Sequence, residues 1–278
     1  MATAPEVPTR RAPRLAAGRA RALGLPTRGT TAPNRLRRID RWLAATHGAR
    51  PRAATDPLVI DLGYGSSPVT TVELYGRLYR VCPEVRVLGL ELDPDRVEAA
   101  AAAARPPALG FARGGFELAG RRPVVVRALN VLRQYPEPEV ATAWRAMRGR
   151  LAPGGVLIEG TCDEIGRRAC WFALPAREGQ DRRVTLTLST HLASLGRPSD
   201  LAERLPKALI ARNVPGEPIH RFLEAFDDAW DHAASYATFG PRMRWAVAVA
   251  ALRAAGWPVH HTPRRWRLGE LTLDWDLG

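Results

Sequence analysis

Two carboxylates and two glycines are the residues of this chain whose types and spacing most clearly point to chemistry. Asp61-Leu62-Gly63-Tyr64-Gly65 follows the short, branched apolar run Leu58-Val59-Ile60, which suits a buried parallel strand ending in a tight turn. Gly63 and Gly65 permit backbone torsions closed to other residues and let a ligand approach the main chain. Ser67 offers an N-cap oxygen and Pro68 suits the first helical position, so a helix is expected to open there. Glu91 closes a second apolar run, Val85-Arg86-Val87-Leu88-Gly89-Leu90, 26 residues after Gly65. That span fits one helix and one returning strand, and an acid at such a strand end suits ribose hydroxyls. A dinucleotide turn would read Gly-x-Gly-x-x-Gly, but Pro68 stands at the third glycine and a carboxylate at Asp61 would repel diphosphate. The charge favours a ligand with cationic groups instead.

In this order, Asp61, Gly63, Gly65 and Glu91 resemble the first two motifs of the class I S-adenosylmethionine-dependent methyltransferases. The resemblance implies an α/β fold: a Rossmann-like, mostly parallel seven-stranded sheet with helices on both faces. It also implies S-adenosylmethionine as cofactor, held by Asp61, Gly63, Tyr64, Gly65, Glu91 and Leu92. Gly114 and Phe116 would lie at the adenine, and Asn130, closing the fourth strand, would contact cofactor or acceptor. Members of the family often cover the cofactor with a segment before the first strand, so Arg28, Thr30 and Thr31 are expected to reach the methionine carboxylate or the acceptor. The resemblance covers residues 56–160 and, more loosely, 240–277.

Methyl transfer from a sulfonium needs alignment and exclusion of water more than it needs any one catalytic group. The acceptor is therefore less legible than the cofactor, and a small polar metabolite is the leading expectation. Asn130-Val131-Leu132-Arg133 departs from the Asn/Asp-Pro-Pro-aromatic stretch of enzymes that methylate base amines. Thr161-Cys162 resembles the nucleophile stretch of RNA cytosine C5-methyltransferases, which makes RNA methylation through Cys162 an alternative. The companion Asp-Ala-Pro-Cys stretch is missing, so Cys162 is read as a structural thiol. Asp163 and Glu164, just beyond the fifth strand with Arg167 and Arg168, are weak candidates for an acceptor-side acid or base beside Asn130. A module that binds the cofactor without transferring its methyl group is a further alternative. His260-His261 and Asp227, Asp228, Asp231 and His232 lack ligand spacing, and no metal is expected.

These residues need a scaffold, and the spacing supplies one. Strands alternate with helices from residue 56: a helix from Pro68 to Val81, another from Pro94 to Ala104, a short strand at 109–113, a fourth at 123–130, a helix from Glu137 to Leu151 and a fifth strand at 156–160. Alternation of this kind implies a parallel sheet with right-handed crossovers. A helix from Arg242 to Ala255 and extended pieces near Val259 and Leu271 would close the fold. Residues 162–239 exceed the minimal pattern. They are expected to form an insertion that shapes the acceptor site, with a hairpin pairing 171–174 with 184–188. Ahead of the sheet, a helix from Pro33 toward His47 places Leu36, Ile39 and Leu43 on one face.

Composition bounds the rest. The chain of 278 residues carries a net charge of +13, yet Lys207 is its only lysine among 41 basic residues. With abundant Ala, Gly and Pro, this reads as a GC-rich coding bias. Residues 1–52 hold twelve arginines against Glu6 and Asp40, so the basic character is local, and residues 1–26 read as a flexible tail ahead of a domain at 27–278. RNA binding through that tail is a possible partner mode. No run reaches about 18 apolar residues and no apolar signal core follows the amino terminus, so the expected location is the cytoplasm. Cys82, Cys162 and Cys170 fit reduced thiols.

Overall fold

The computed structural model describes residues 31–177, 179 and 183–277; the expected tail and the candidates Arg28 and Thr30 lie outside them. In chain order the elements are α1 (Arg37–His47), α2 (Ala49–Ala53), β1 (Leu58–Leu62), α3 (Val69–Tyr79), β2 (Arg86–Glu91), α4 (Pro94–Ala100), β3 (Leu109–Arg113), β4 (Val125–Leu129), α5 (Glu137–Arg150) and β5 (Val156–Cys162). The second half adds β6 (Arg168–Pro175), β7 (Thr185–Thr190), α6 (Lys207–Ile210), α7 (Pro218–His232), α8 (Pro241–Ala254), α9 (Pro263–Trp266) and β8 (Glu270–Asp274).

Every residue of β1, β4 and β5 is buried, as expected for strands covered on both faces. The sheet runs β3-β2-β1-β4-β5-β6-β7-β8. Its first five strands are parallel and its last three pair antiparallel. This is the expected doubly wound α/β architecture, with eight strands where seven were expected. The difference lies in residues 162–239. Their hairpin is no insertion outside the sheet but its sixth and seventh strands. Trp171 and Ala173 of β6 face one core while Phe172 and Leu174 face the other, so both faces of β6 need cover, which only an interior strand receives. The closing antiparallel pair is present as β8 and a bridge from Val259 to Leu273, seated against β7.

On one face α1 and α3 bury Ile39, Trp42, Leu43, Leu74 and Leu78 against Val59, Val87, Val125 and Ile158. The predicted apolar stripe of α1 is thus the packing face. On the other, α5, α7 and α8 bring Trp144, Met147, Phe222, Phe226 and Trp245 onto Ile60, Leu90, Val126 and Leu157. α7 does so through Ile219, Phe222, Leu223, Phe226 and Trp230, a helical spacing of three and four. The connection from β3 to β4 carries only a short 3-10 turn, Leu118–Gly120, and no α-helix.

Candidate active site

The carboxyl ends of β1, β2 and β4 converge where the strand order reverses, the usual place for a ligand crevice in such sheets. A cavity of about 730 Å³ opens there. Its described walls come from residues 31–146, and none comes from 162–239. The wall is built from the glycine turn (Asp61 to Gly65), Glu91 and Leu92 after β2, Gly114 to Glu117 after β3, and Asn130 and Val131 after β4. All nine predicted cofactor contacts are therefore brought together: Asp61, Gly63, Tyr64, Gly65, Glu91, Leu92, Gly114, Phe116 and Asn130.

The turn has the backbone that its glycines allow. Gly63 and Gly65 take φ of +70° and +83°, in the left-handed region that side chains disfavour. A Cβ on Gly63 would stand 2.7 Å from Val131 Cγ2. The two glycine amides are already used: Gly63 N–H donates to Leu90 O at 2.7 Å, and Gly65 N–H donates to Glu91 Oε2 at 2.9 Å. Glu91 Oε1 accepts Leu92 N–H at 2.8 Å. The helix after the turn starts at Val69, one residue later than expected, and Ser67 Oγ receives only the Val69 amide at 3.4 Å. At β2 the expectation holds closely, since Asp93 caps α4 by accepting Asp95 N–H at 3.0 Å with Pro94 in the first turn.

Asp61 sits in the wall, but its charge is spent on the protein. Arg127 Nε donates to Asp61 Oδ1 at 2.9 Å and Nη2 to Oδ2 at 2.6 Å, while Thr71 Oγ1 donates to Oδ2 at 2.7 Å. The carboxylate expected to face a cationic ligand is thus already paired within the protein while lining the cavity. Arg127 is completely buried in β4. Burial alone would lower its pKa, but Asp40 and Asp61 together raise it.

Phe116 leans on Tyr135 with ring centroids 5.3 Å apart, and Glu117 Oε1 accepts Gly115 N–H at 2.7 Å, so Glu117 shapes its own turn. Tyr64 packs edge-on against Phe111 at 5.4 Å. Asn130 takes φ of +62°, tolerated by asparagine because its short amide bonds locally. Its Oδ1 accepts Cys162 N–H at 3.0 Å and its Nδ2 donates to Cys162 Sγ at 3.2 Å. Asn130 is thereby a wall residue held by β5, with both amide atoms engaged.

The acceptor-side candidates beyond β5 do not reach the cavity. Asp163 accepts the amides of Ile165, Arg167 and Arg168 at 3.2, 2.9 and 3.0 Å, which makes it the organiser of its own turn. Glu164 is exposed and lies 3.7 Å from Arg204. Cys162 is buried and does not line the cavity. Burial pushes its thiol pKa up, away from the thiolate a nucleophile needs. Cys162→Ala should leave ligand binding and any transfer within a few-fold of wild type; a native protein that loses turnover by orders of magnitude, or forms a covalent adduct with 5-fluorocytosine RNA, would contradict this. Among the described residues no cluster of His, Cys, Asp and Glu could hold a metal, and no helix is long and apolar enough to cross a membrane.

Thr31, offered by the sequence as a covering residue, lines the cavity, whereas other wall residues gave little sign in the sequence. Thr31, Arg35 and Leu36 reach the cavity from the segment before and at α1. Thr31 Oγ1 donates to Tyr64 O at 3.2 Å, and Arg35 Nε donates to Asp163 O at 2.9 Å. Pro138, Thr142 and Ala146 of α5 form a second stripe, beside the core stripe of Val140, Trp144 and Met147. Their spacing of four could have marked a second exposed or ligand-facing side.

No protein-family model and no curated protein matches the chain. Among solved structures it is similar to magnesium protoporphyrin IX methyltransferase from Synechocystis PCC 6803 with bound SAM, at 20% identity and a TM-score of 0.36, over 46% of this chain and 58% of that one. It is also similar to the sugar N-methyltransferase KedS8 from Streptoalloteichus, at 20% identity and a TM-score of 0.37, over 68% and 72% of the two chains. A carbon methyltransferase, DszA, aligns at 14% identity and a TM-score of 0.38 over 46% and 35%. The chain spans little more than half the length of the first of these. At such identities and TM-scores these likenesses say nothing of what this chain acts on.

Proposed function

We propose that this protein binds S-adenosylmethionine and transfers its methyl group to a small polar acceptor. The observation that carries the reading is the Glu91 carboxylate in the cavity wall, bound to the Gly65 amide at 2.9 Å. A diphosphate at this turn would need free amide donors, and Gly63 and Gly65 have spent theirs on Leu90 and Glu91. A ribose brings hydroxyl donors instead, and a carboxylate that accepts two amides still has lone pairs for them. Phe116 offers a ring for a base. The cavity is within the usual size of small-molecule sites, roughly 300–1,000 Å³.

S-adenosylmethionine supplies an already activated methyl on its sulfonium. What remains for the chain is to orient the partners and keep water away. Glu91 and the turn backbone would fix the nucleoside, Phe116 and Tyr135 would cover the base, and Thr31, Arg35 and Leu36 would extend the wall beside the turn. Asn130, locked by Cys162, would hold a fixed surface beside the acceptor.

Titrating the protein with labelled S-adenosylmethionine tests the reading. Glu91→Ala should weaken binding by tenfold or more, the loss of a charge-assisted contact of roughly 1.5–3 kcal/mol. Tighter binding of a nicotinamide dinucleotide than of S-adenosylmethionine would refute the cofactor. Binding without transfer of label to any component of a cell extract would favour a non-catalytic module.

A further inference from the structure

Asp40, Asp61 and Arg127 join three elements through one buried guanidinium. Asp40 of α1 and Arg127 of β4 are completely buried, and Asp61 of β1 nearly so. Arg127 grips Asp61 with Nε and Nη2, gives a further bond from Nη2 to Thr70 O at 3.1 Å, and donates from Nη1 to Asp40 Oδ1. β1 and β4 hold Asp61 and Arg127 in register as neighbours. The far side of Asp40 is held by Arg77 of α3 at 2.6 Å, which also bonds Asn34 Oδ1 at 2.9 Å.

The same N-terminal segment is fastened at its other end, where Thr31 Oγ1 donates to Tyr64 O at 3.2 Å inside the glycine turn. Between these two fastenings lie Arg35 and Leu36, which face the cavity. Asp40 itself does not line it. A buried ion triad is often no more stabilising than apolar residues of the same shape, so stability alone gives little reason for one here. What it supplies is a fixed geometry, because a guanidinium fork donates to two carboxylates only in set directions.

We propose that Arg127 is a positioning residue that makes the glycine turn and the start of α1 one rigid wall, so that ligand binding at the turn and docking of α1 are energetically linked through Asp40. The proposal rests on the S-adenosylmethionine reading above. It assigns a positioning role in binding to Asp40 and Arg127, neither of which lines the cavity.

The test uses S-adenosylhomocysteine with the full chain. In the wild type, adding it should slow amide hydrogen exchange in α1 as well as around the turn. Asp40→Asn keeps the shape and removes one charge; it should lower affinity about tenfold and abolish the ligand-induced protection of α1, while protection at the turn persists. A purely structural Asp40 would lower stability yet leave that protection pattern intact. Arg77→Gln, at a partly exposed site that holds Asp40 from outside, should give the same loss of α1 protection with a several-fold drop in affinity, and serves if Asp40→Asn does not fold. If the variants bind within twofold of wild type, or α1 remains protected by ligand, the positioning role is refuted and the cofactor reading stands. If the wild type itself does not bind S-adenosylhomocysteine, both fall together.

Discussion

Replacing Asp61 with alanine should destabilise the fold itself, by roughly 3–5 kcal/mol, and not only weaken a ligand. Arg127 has no exposure to solvent, and Asp61 takes two of its guanidinium bonds. Without that carboxylate the guanidinium keeps Asp40 and Thr70 O but loses its bidentate partner in a medium where water cannot replace it. Asp61→Asn retains an acceptor and should cost less. Urea titration followed by circular dichroism would show a lower midpoint with an unchanged slope. An alanine variant with the wild-type midpoint would mean that the buried triad is not a coupled unit. Because binding would fall as well, affinity has to be measured well below the unfolding midpoint, where the folded fraction is the same.

The second large effect is set by pH. Glu159 in β5 is completely buried; Trp144 Nε1 donates to its Oε2 at 3.3 Å, and its Oε1 has no partner among the described residues. Burial pushes its pKa up to about 8 from an ordinary value of 4.5. A carboxyl whose folded pKa lies above its unfolded value contributes stability that is complete below the unfolded pKa and is lost as pH rises through the folded one. The window is therefore about 4.5 to 8, and at about 1.4 kcal/mol per pH unit the loss is on the order of 3–5 kcal/mol. Glu159→Gln keeps the shape and the acceptor for Trp144 without the charge. Its stability should be close to or slightly below wild type at pH 5 and clearly above it at pH 9. Parallel stability–pH curves for the two proteins would disprove the burial of an ionisable Glu159.

The sequence exposed what depends on local backbone chemistry. Gly63 and Gly65 had to be glycines because of their positive φ, Asp93-Pro94 had to open a helix, and Glu91 had to end a strand. Each of these was legible within a few residues. Arg127 was visible only as a charge interrupting an apolar strand. Its partner Asp61 stands 66 positions away, and only the register between β1 and β4 brings them together. Asp163 misled for the opposite reason. A carboxylate after a strand resembles a catalytic group, but Gly166, with φ of +70°, turns the chain back so that the carboxylate caps its own loop. The hairpin of β6 and β7 was found as a hairpin but misplaced, because local alternation does not reveal which edge a strand joins.

The strand order carries a consequence for assembly. In β3-β2-β1-β4-β5-β6-β7-β8 every pairing joins sequence neighbours except β1 with β4. On each side of that seam the sheet grows by adding the next strand in the chain. Only the seam between β1 and β4 has two other strands, β2 and β3, looped out between its partners, so it is the joint between the two halves of the sheet. The ligand crevice and the Asp61–Arg127 pair lie on that seam. A ligand bound there adds its affinity to the one pairing in the sheet that joins non-consecutive strands. It would therefore favour the seam's closure by mass action, and two fragments cut in the loop between β3 and β4 would reassemble more tightly in its presence.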